Sequence, residues 1–262
     1  LASTGTPAAQ RSALRGLEQL TDASHLPALV KLLTAADNES SRANIQRVFE
    51  ALADRTSPGE KVNVSAIVQG LNTTNVTTRI ALLQVAAFFS DSKLRDAFRA
   101  ALKDANPQVR AAAERAICNS RDTRLMPELL ELAKNATEVN LRALALEGYV
   151  RLVNEGDVNF PTARRVQMLR SAYELANRPE EKRLVLSALA AAPNLESLQL
   201  VETALNIDAV RAEAEVAAAR IAGELLATEP TAATRILQRL TESAITAAVQ
   251  TRARSTLKQF DS

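Results

Sequence analysis

The chain has 262 residues, and its 32 basic and 30 acidic side chains leave a formal net charge of +2, too balanced for a surface dominated by phosphate binding. Hydrophobic residues make up 47% of the chain, but aromatic residues make up only 3% and Trp is absent, so Ala, Leu, Val and Ile must build the core. One cysteine excludes an internal disulfide and a cysteine-rich metal site. No run approaches the ~20 apolar residues of a membrane span.

Helices are the expected secondary structure throughout. Only 7 Gly and 9 Pro are present, and Val and Ile never alternate over the length of a strand. From the N-terminus, residues 7–20 predict one unpaired helix. Residues 54–63 and 154–163 read as longer loops within an otherwise regular array, and the last helix is expected either to cap that array or to lead into another domain.

The helices after residue 20 follow a repeat of two segments. The first, helix A, has apolar residues at helical spacing, as in "HLPALVKLL" from His25 and "RLMPELLELAK" from Arg124. The second, helix B, opens with an arginine that we call the anchor. The anchors lie 28 to 41 residues apart, about 34 on average. They are Arg11, Arg42, Arg79, Arg110, Arg142, Arg183, Arg211 and Arg252.

The stretch "DANPQVRAAAERAI" at 104–117 shows the helix B pattern most clearly. Asn106 suits the N-cap and Pro107 the first helical position, where its missing N–H costs nothing. The alanines that follow let neighbouring helices approach closely. Gly16, Gly148 and Gly223 also fall within predicted B helices, and close helix approach is the expected reason for keeping them.

This pattern resembles the HEAT repeats, whose helix B begins with Asp and then Pro-x-Val-Arg. Asp104, Pro107, Val109 and Arg110 match that motif in order. The resemblance extends over the chain, with a pitch closer to short bacterial HEAT-like units. It implies an all-α, right-handed α-solenoid of antiparallel helix pairs, armadillo-like, in which the matched residues interlock neighbouring repeats. We therefore expect a single domain over 1–262, with seven helix pairs after helix 7–20, as part of a longer chain.

Catalytic chemistry finds little support in the sequence. His25 is the only histidine and lies at a helix start, Cys118 lies on an apolar helix side, and the glycines form no phosphate-binding loop. HEAT-type iron hydroxylases need several His-Glu pairs, and HEAT-like DNA glycosylases rely on Trp and other aromatic residues. Bilin-lyase-type HEAT proteins stay open, although no motif identifies them. We expect no enzyme activity, no cofactor and no metal.

Three functions remain open. The resemblance favours a protein-interaction scaffold that binds a protein, or another domain of its own chain, on the concave surface lined by B helices. A nucleic-acid binder would use Arg42, Arg79, Arg110, Arg142, Arg183 and Arg211 as a row of phosphate contacts, unless acidic neighbours such as Glu114, Glu147 and Glu215 neutralise the row. Of these, Arg79, Arg142, Arg183 and Arg211 are the candidates for binding on the concave surface. A looser resemblance suggests an auxiliary domain of a larger exported bacterial protein with sugar-processing or cytochrome modules. The sequence leaves the compartment undetermined.

Overall fold

The computed structural model describes residues 7–57, 60, 62–156 and 159–260. These residues form fifteen α-helices and three short 3-10 turns, with no strand among them, which confirms the all-α prediction. Helix A of each pair is even-numbered and helix B is odd-numbered. The helices are α1 Pro7–Leu20, α2 Leu26–Ala35, α3 Glu39–Arg55, α4 Ser65–Gly70, α5 Val76–Ala86, α6 Ser92–Ala101, α7 Pro107–Cys118, α8 Met126–Asn135, α9 Val139–Glu155, α10 Thr162–Leu175, α11 Pro179–Leu189, α12 Leu195–Ala204, α13 Arg211–Leu225, α14 Pro230–Ser243 and α15 Ala247–Phe260.

Asparagine side chains begin many of these helices. Asn106 caps α7 by accepting the N–H of Gln108, with Pro107 at the first helical position as predicted. Asn38, Asn75 and Asn194 accept a backbone N–H in the same way at α3, α5 and α12. These bonds satisfy donors that the helix itself leaves open, so local sequence sets the start of these four helices.

The chain divides into two compact units. Unit 1 holds the described residues up to Leu132 together with Ala136–Gly148. Its B helices pack in series, α1 on α3, α3 on α5 and α5 on α7, while α2 packs on α4 and α4 on α6. Large apolar side chains such as Phe49, Leu82 and Phe98 are fully buried. Each repeat therefore buries its apolar side against its neighbours.

Unit 2 holds Ala133–Asn135 and the described residues from Tyr149 onward. Its B helices α11, α13 and α15 pack in series, and α12 and α14 pack against α13. Alanines dominate the buried side of α13, as the composition predicts. Both tyrosines of the chain lie in this unit. Burial raises the pKa of Tyr149 to about 12 and also raises that of Tyr173.

Close approach accounts for only one of the three glycines that the sequence places in B helices. A Cβ on Gly148 would lie 2.3 Å from the carbonyl oxygen of Cys118, a contact that no alanine can make without backbone movement. A Cβ on Gly223 would meet Thr256 at 3.6 Å, an ordinary contact, and one on Gly16 would meet nothing within 4 Å. The expectation was therefore right for Gly148 and wrong for Gly16 and Gly223.

Candidate interaction surface

The backbone at the start of each B helix defines the anchor position. The N–H groups of Arg42, Arg79, Arg110 and Arg142 each bond the carbonyl of the capping residue four positions earlier, the first α-helical bond of α3, α5, α7 and α9. In α11 and α15 the same bond comes from Lys182 and Gln250. The predicted anchors Arg183 and Arg252 are therefore wrong by one and two residues. The capping residue, not the nearest arginine in the sequence, sets this register.

Arg79 and Asp104 join neighbouring repeats of unit 1. The Arg79 guanidinium, at the start of α5, donates to the carboxylate of Asp104, which lies just before α7. Asp104 also accepts the N–H of Asn106 at 2.9 Å. The bond from Arg79 is the main reason that the pKa of Asp104 lies below its ordinary value, with the bond from Asn106 adding to it. Asp104 is thus an ionised link between α5 and α7.

Arg110 bonds within its own repeat. Its Nη1 donates to the carbonyl oxygens of Asp104 at 2.6 Å and Ala105 at 3.0 Å, six and five positions earlier. Arg42 makes the same bond to Ala36 at 2.7 Å. Val109, between Pro107 and Arg110, is fully buried. The motif residues therefore have different roles. Asp104 joins two repeats, whereas Arg110 fixes the turn before α7.

Unit 2 uses a different carboxylate. Glu215 is 2% exposed, accepts Arg211 Nε at 3.0 Å and accepts the N–H of Ile245 at 2.8 Å. Arg211 also donates to the carbonyl of Ser243 at 2.6 Å. Because Ile245 and Ser243 precede α15, these bonds tie α13 to the start of the next B helix.

The remaining two arginines of the predicted row differ from each other. Arg183 donates to the carbonyl of Ala209 at 2.7 Å, and its Nε lies 3.2 Å from the carboxylate of Glu213. Arg142 is half-buried, and its side chain has no hydrogen bond or ion pair with any residue that the structure describes. Of the predicted acidic neighbours, Glu215 pairs with its arginine; Glu114 and Glu147 form no ion pair among the described residues. The structure thus engages Arg79, Arg183 and Arg211 and leaves Arg142 available.

The exposed side of the B helices lies five positions after each anchor residue. We call these positions the B face. In unit 1 they carry polar and charged side chains, and in unit 2 they carry small or apolar ones. Gln84 of unit 1 also accepts the Gln46 side-chain amide from the preceding repeat at 2.5 Å. The B-face residues are Arg47, Gln84, Arg115 and Glu147 in unit 1 and Ser187, Val216 and Ser255 in unit 2.

Three side chains at the C-terminal ends of α3, α5 and α7 form a further contact, which we call the clasp. Arg121 Nη1 donates to Asp54 Oδ1 at 2.5 Å. The guanidinium carbon of Arg121 lies 5.8 Å from the centre of the Phe88 ring. Sequence reasoning missed the clasp because no local motif links residues so far apart in the chain.

The A helices are also joined by ion pairs that the sequence patterns do not reveal. In unit 1, Arg95 Nη1 lies 2.7 Å from the carboxylate of Asp122, which is 1% exposed. In unit 2, Arg235 donates to Glu202, and this bond is the largest cause of the lowered pKa of Glu202. These carboxylates support the fold between neighbouring A helices.

His25 and Cys118, the residues with catalytic potential, lie in environments typical of structural residues. His25 is half-exposed, and its Nδ1 lies 2.8 Å from the Asp22 carboxylate in the turn before α2. Cys118 is buried in the core, as predicted. No group of three or more His, Cys, Asp or Glu side chains suited to a metal ion occurs in the part of the chain that the structure describes. Within the same part, no helix is long and apolar enough to cross a membrane.

Comparison with protein families finds HEAT repeats at residues 64–149, which is α4 to α9 without the end of α9. The matched segment contains Asp104, Pro107, Val109 and Arg110. Residues 64–149 therefore match HEAT repeats, and the resemblance drawn from the 104–117 motif is confirmed for this segment. HEAT repeats generally mediate protein–protein interactions.

Solved structures give weaker likenesses. Human deoxyhypusine hydroxylase in complex with glycerol is 14% identical, with 91% of this chain and 96% of that chain covered and a TM-score of 0.34. A chain from a structure on tubulin recruitment and assembly by microtubule polymerases with tumor overexpressed gene domain arrays is 10% identical, with 93% and 79% covered and a TM-score of 0.33. Neither likeness carries an argument about function. Comparison with curated proteins finds no match.

Proposed function

We propose that this chain is a non-enzymatic interaction module that binds a protein, or another domain of a longer chain, on its exposed B-helix surface. The observation that carries the proposal is that arginines predicted as phosphate contacts bond to other groups of the fold instead. Arg79, Arg183 and Arg211 bond to carboxylates or backbone carbonyls of neighbouring repeats. Each of these guanidinium groups also lies beside a carboxylate that offsets its charge, so these residues favour structure over nucleic-acid recognition.

The B face of unit 1 supports a protein partner in a second way. It combines cationic, amide and acidic groups at Arg47, Gln84, Arg115 and Glu147. Duplex binding calls for a run of cations, whereas mixed polar groups suit the varied hydrogen bonds of a protein interface. A non-enzymatic role also agrees with the match to HEAT repeats, which generally act by binding other proteins.

The clasp supports a concave B side within unit 1. Packed helices lie about 8–10 Å apart, so two helices separated by a third meet only where the stack curves toward them. Arg121, three residues past the end of α7, bonds to Ala87 at the end of α5 through its backbone and to Asp54 on α3 through its side chain, so the ends of the three helices converge. A surface that curves inward gives a partner contacts from several repeats at once.

The test compares two triple variants with the same change in charge. The B-face variant carries Arg47→Glu, Gln84→Glu and Arg115→Glu. The control carries Lys31→Glu, Lys93→Glu and Lys134→Gln at exposed positions on α2, α6 and α8. Each chain is immobilised, incubated with nuclease-treated lysate of its source cells, and the retained proteins are quantified by mass spectrometry.

We expect at least one protein to be retained by the unsubstituted chain and the control but reduced at least tenfold on the B-face variant. Equal retention by both variants would contradict B-face binding. A parallel titration with duplex and single-stranded DNA separates the alternative, because binding that falls steeply with salt and depends on Arg142 would favour nucleic acid.

A further inference from the structure

The clasp joins repeats that are not neighbours. The backbone N–H of Arg121 bonds the carbonyl of Ala87 at 3.2 Å, which ties the end of α7 to the end of α5. The side chain then continues across the Phe88 ring to Asp54 at the end of α3. Asp54 and Arg121 are 67 positions apart, so one side chain spans three successive B helices.

This reach departs from the general rule for stacked repeats, in which each unit contacts only its neighbours. Two ion pairs between adjacent repeats of unit 1 join residues much closer in the chain, 25 positions apart for Arg79 and Asp104 and 29 for Arg99 and Glu128. Pairs of that kind hold one repeat on the next. A bond from the first to the third repeat instead opposes the opening of the stack between them.

The energies involved suit control of bending rather than of folding. The Arg121 and Asp54 side chains are 38% and 59% exposed, and an ion pair this exposed contributes little to stability. The guanidinium over Phe88 adds a similarly small contribution at an exposed site. Loss of the clasp leaves the buried packing of α3, α5 and α7 intact, and salt weakens the exposed pair.

We propose that the clasp of Asp54, Phe88 and Arg121 restrains the B face of unit 1 in a closed arrangement and releases it when the ion pair is broken. The bond from Arg121 to Asp54 supplies the restraint, and Phe88 guides the guanidinium between the two outer helices. The inference holds for the chain alone and does not require a partner.

The experiment measures the distance between α3 and α7 directly. Spin labels are attached to cysteines introduced at Glu50 and Asn119, both exposed, in the full chain. Cys118 stays in place because it is 1% exposed, and the chain without the new cysteines is first shown to take up no label. Distance distributions are recorded by pulsed electron paramagnetic resonance at low salt and at high salt.

We expect Arg121→Gln and Asp54→Asn to lengthen the mean distance by a few ångströms and broaden its distribution at low salt. High salt should move the unsubstituted chain the same way and leave both variants unchanged. Arg99→Gln removes a pair between adjacent repeats of the same unit and serves as the control, with a distribution like that of the unsubstituted chain.

Identical distributions for the unsubstituted chain, Arg121→Gln and Asp54→Asn at low salt would overturn the proposal. A change in Arg121→Gln that neither Asp54→Asn nor salt reproduces would overturn it too, since the ion pair would then not be the restraint. Circular dichroism confirms that each variant is folded. The salt series on the unsubstituted chain decides the question even if one variant fails to fold.

Discussion

Units 1 and 2 both join consecutive B helices through a carboxylate, but the carboxylate lies at a different position in each unit. Consecutive B helices must be joined, and in unit 1 Arg79 reaches Asp104 in the loop before the next B helix. In unit 2 the carboxylate comes from Glu215, on the same helix as Arg211, and reaches forward to the backbone of Ile245. In both units the join combines an arginine, a carboxylate and a backbone N–H, and the position of the carboxylate differs. The segment that matches HEAT repeats, residues 64–149, contains the join in which the carboxylate, Asp104, precedes the B helix.

The largest effect should come from a methyl group where unit 1 is most tightly packed. Gly148→Ala places a Cβ against the Cys118 carbonyl, so the backbone of α9 or α7 must move. We expect a loss of about 3 kcal/mol in the free energy of unfolding, at the upper end of overpacking effects. Chemical unfolding followed by circular dichroism measures the change.

Gly223→Ala in unit 2 is the matched control. Its Cβ makes an ordinary contact with Thr256, and alanine favours the helix by up to about 1 kcal/mol. This variant should be neutral or more stable. Equal losses for both glycine variants would mean that close approach does not distinguish the two helices.

Removal of the buried carboxylate should weaken unit 2. Glu215→Ala leaves the N–H of Ile245 without its acceptor and Arg211 without its partner, at a cost of about 2 kcal/mol. Arg211 is one-third exposed and can regain water, which limits the loss. Glu213→Ala, two positions earlier and half-exposed, should change stability by less than about 0.5 kcal/mol. Equal effects in thermal unfolding would contradict a join through Glu215.

The join in unit 1 should respond to acid. The pKa of Asp104 in the folded chain lies below its ordinary 3.8, so its contribution is complete above that value and is lost as pH falls through the lower, folded pKa. Asp104→Asn should therefore lower Tm by a few degrees at neutral pH, and this difference should shrink in strong acid. Asp96→Asn, on the exposed side of α6, should show neither effect. A difference that persists in acid would show that charge is not the cause.

The smallest effect should come from restoring the motif in unit 2. Gln250 occupies the anchor position of α15 and donates to the carbonyl of Ala244 at 2.9 Å, six positions earlier. Arg42 and Arg110, at the same position of α3 and α7, also donate to the carbonyl six positions earlier. Gln250→Arg should thus change stability by no more than about 0.5 kcal/mol. A loss above about 1 kcal/mol in chemical unfolding would contradict the assigned register.

Local features of the fold could be predicted from the sequence, because short-range chemistry decides them. Asn106 and Pro107 specify a helix start by themselves, and the periodicity of Leu and Ala specifies the helix pairs. The anchors in α11 and α15 were placed wrongly because an arginine lies one or two positions after the true position, at Arg183 and Arg252 respectively. Only the capping bond distinguishes such neighbours.

Long-range contacts of the surface could not be predicted in this way. Asp54 and Arg121 belong to no motif, and their meeting depends on how the ends of three helices pack together. Arg79 pairs with a carboxylate in a loop and Arg211 with one on its own helix, a choice that the arginine itself does not reveal. Gly148 differs from Gly16 and Gly223 only through its distance from another backbone.

The position of the two tyrosines makes unit 2 optically distinct. Trp is absent, and Tyr149 and Tyr173 both belong to unit 2, so tyrosine emission reports that unit and not unit 1. The phenol of Tyr149, with its pKa raised to about 12, should ionise near pH 10 only after unfolding exposes it. Ultraviolet absorbance in mild alkali can therefore follow the opening of one unit alone, with no dye attached to the chain.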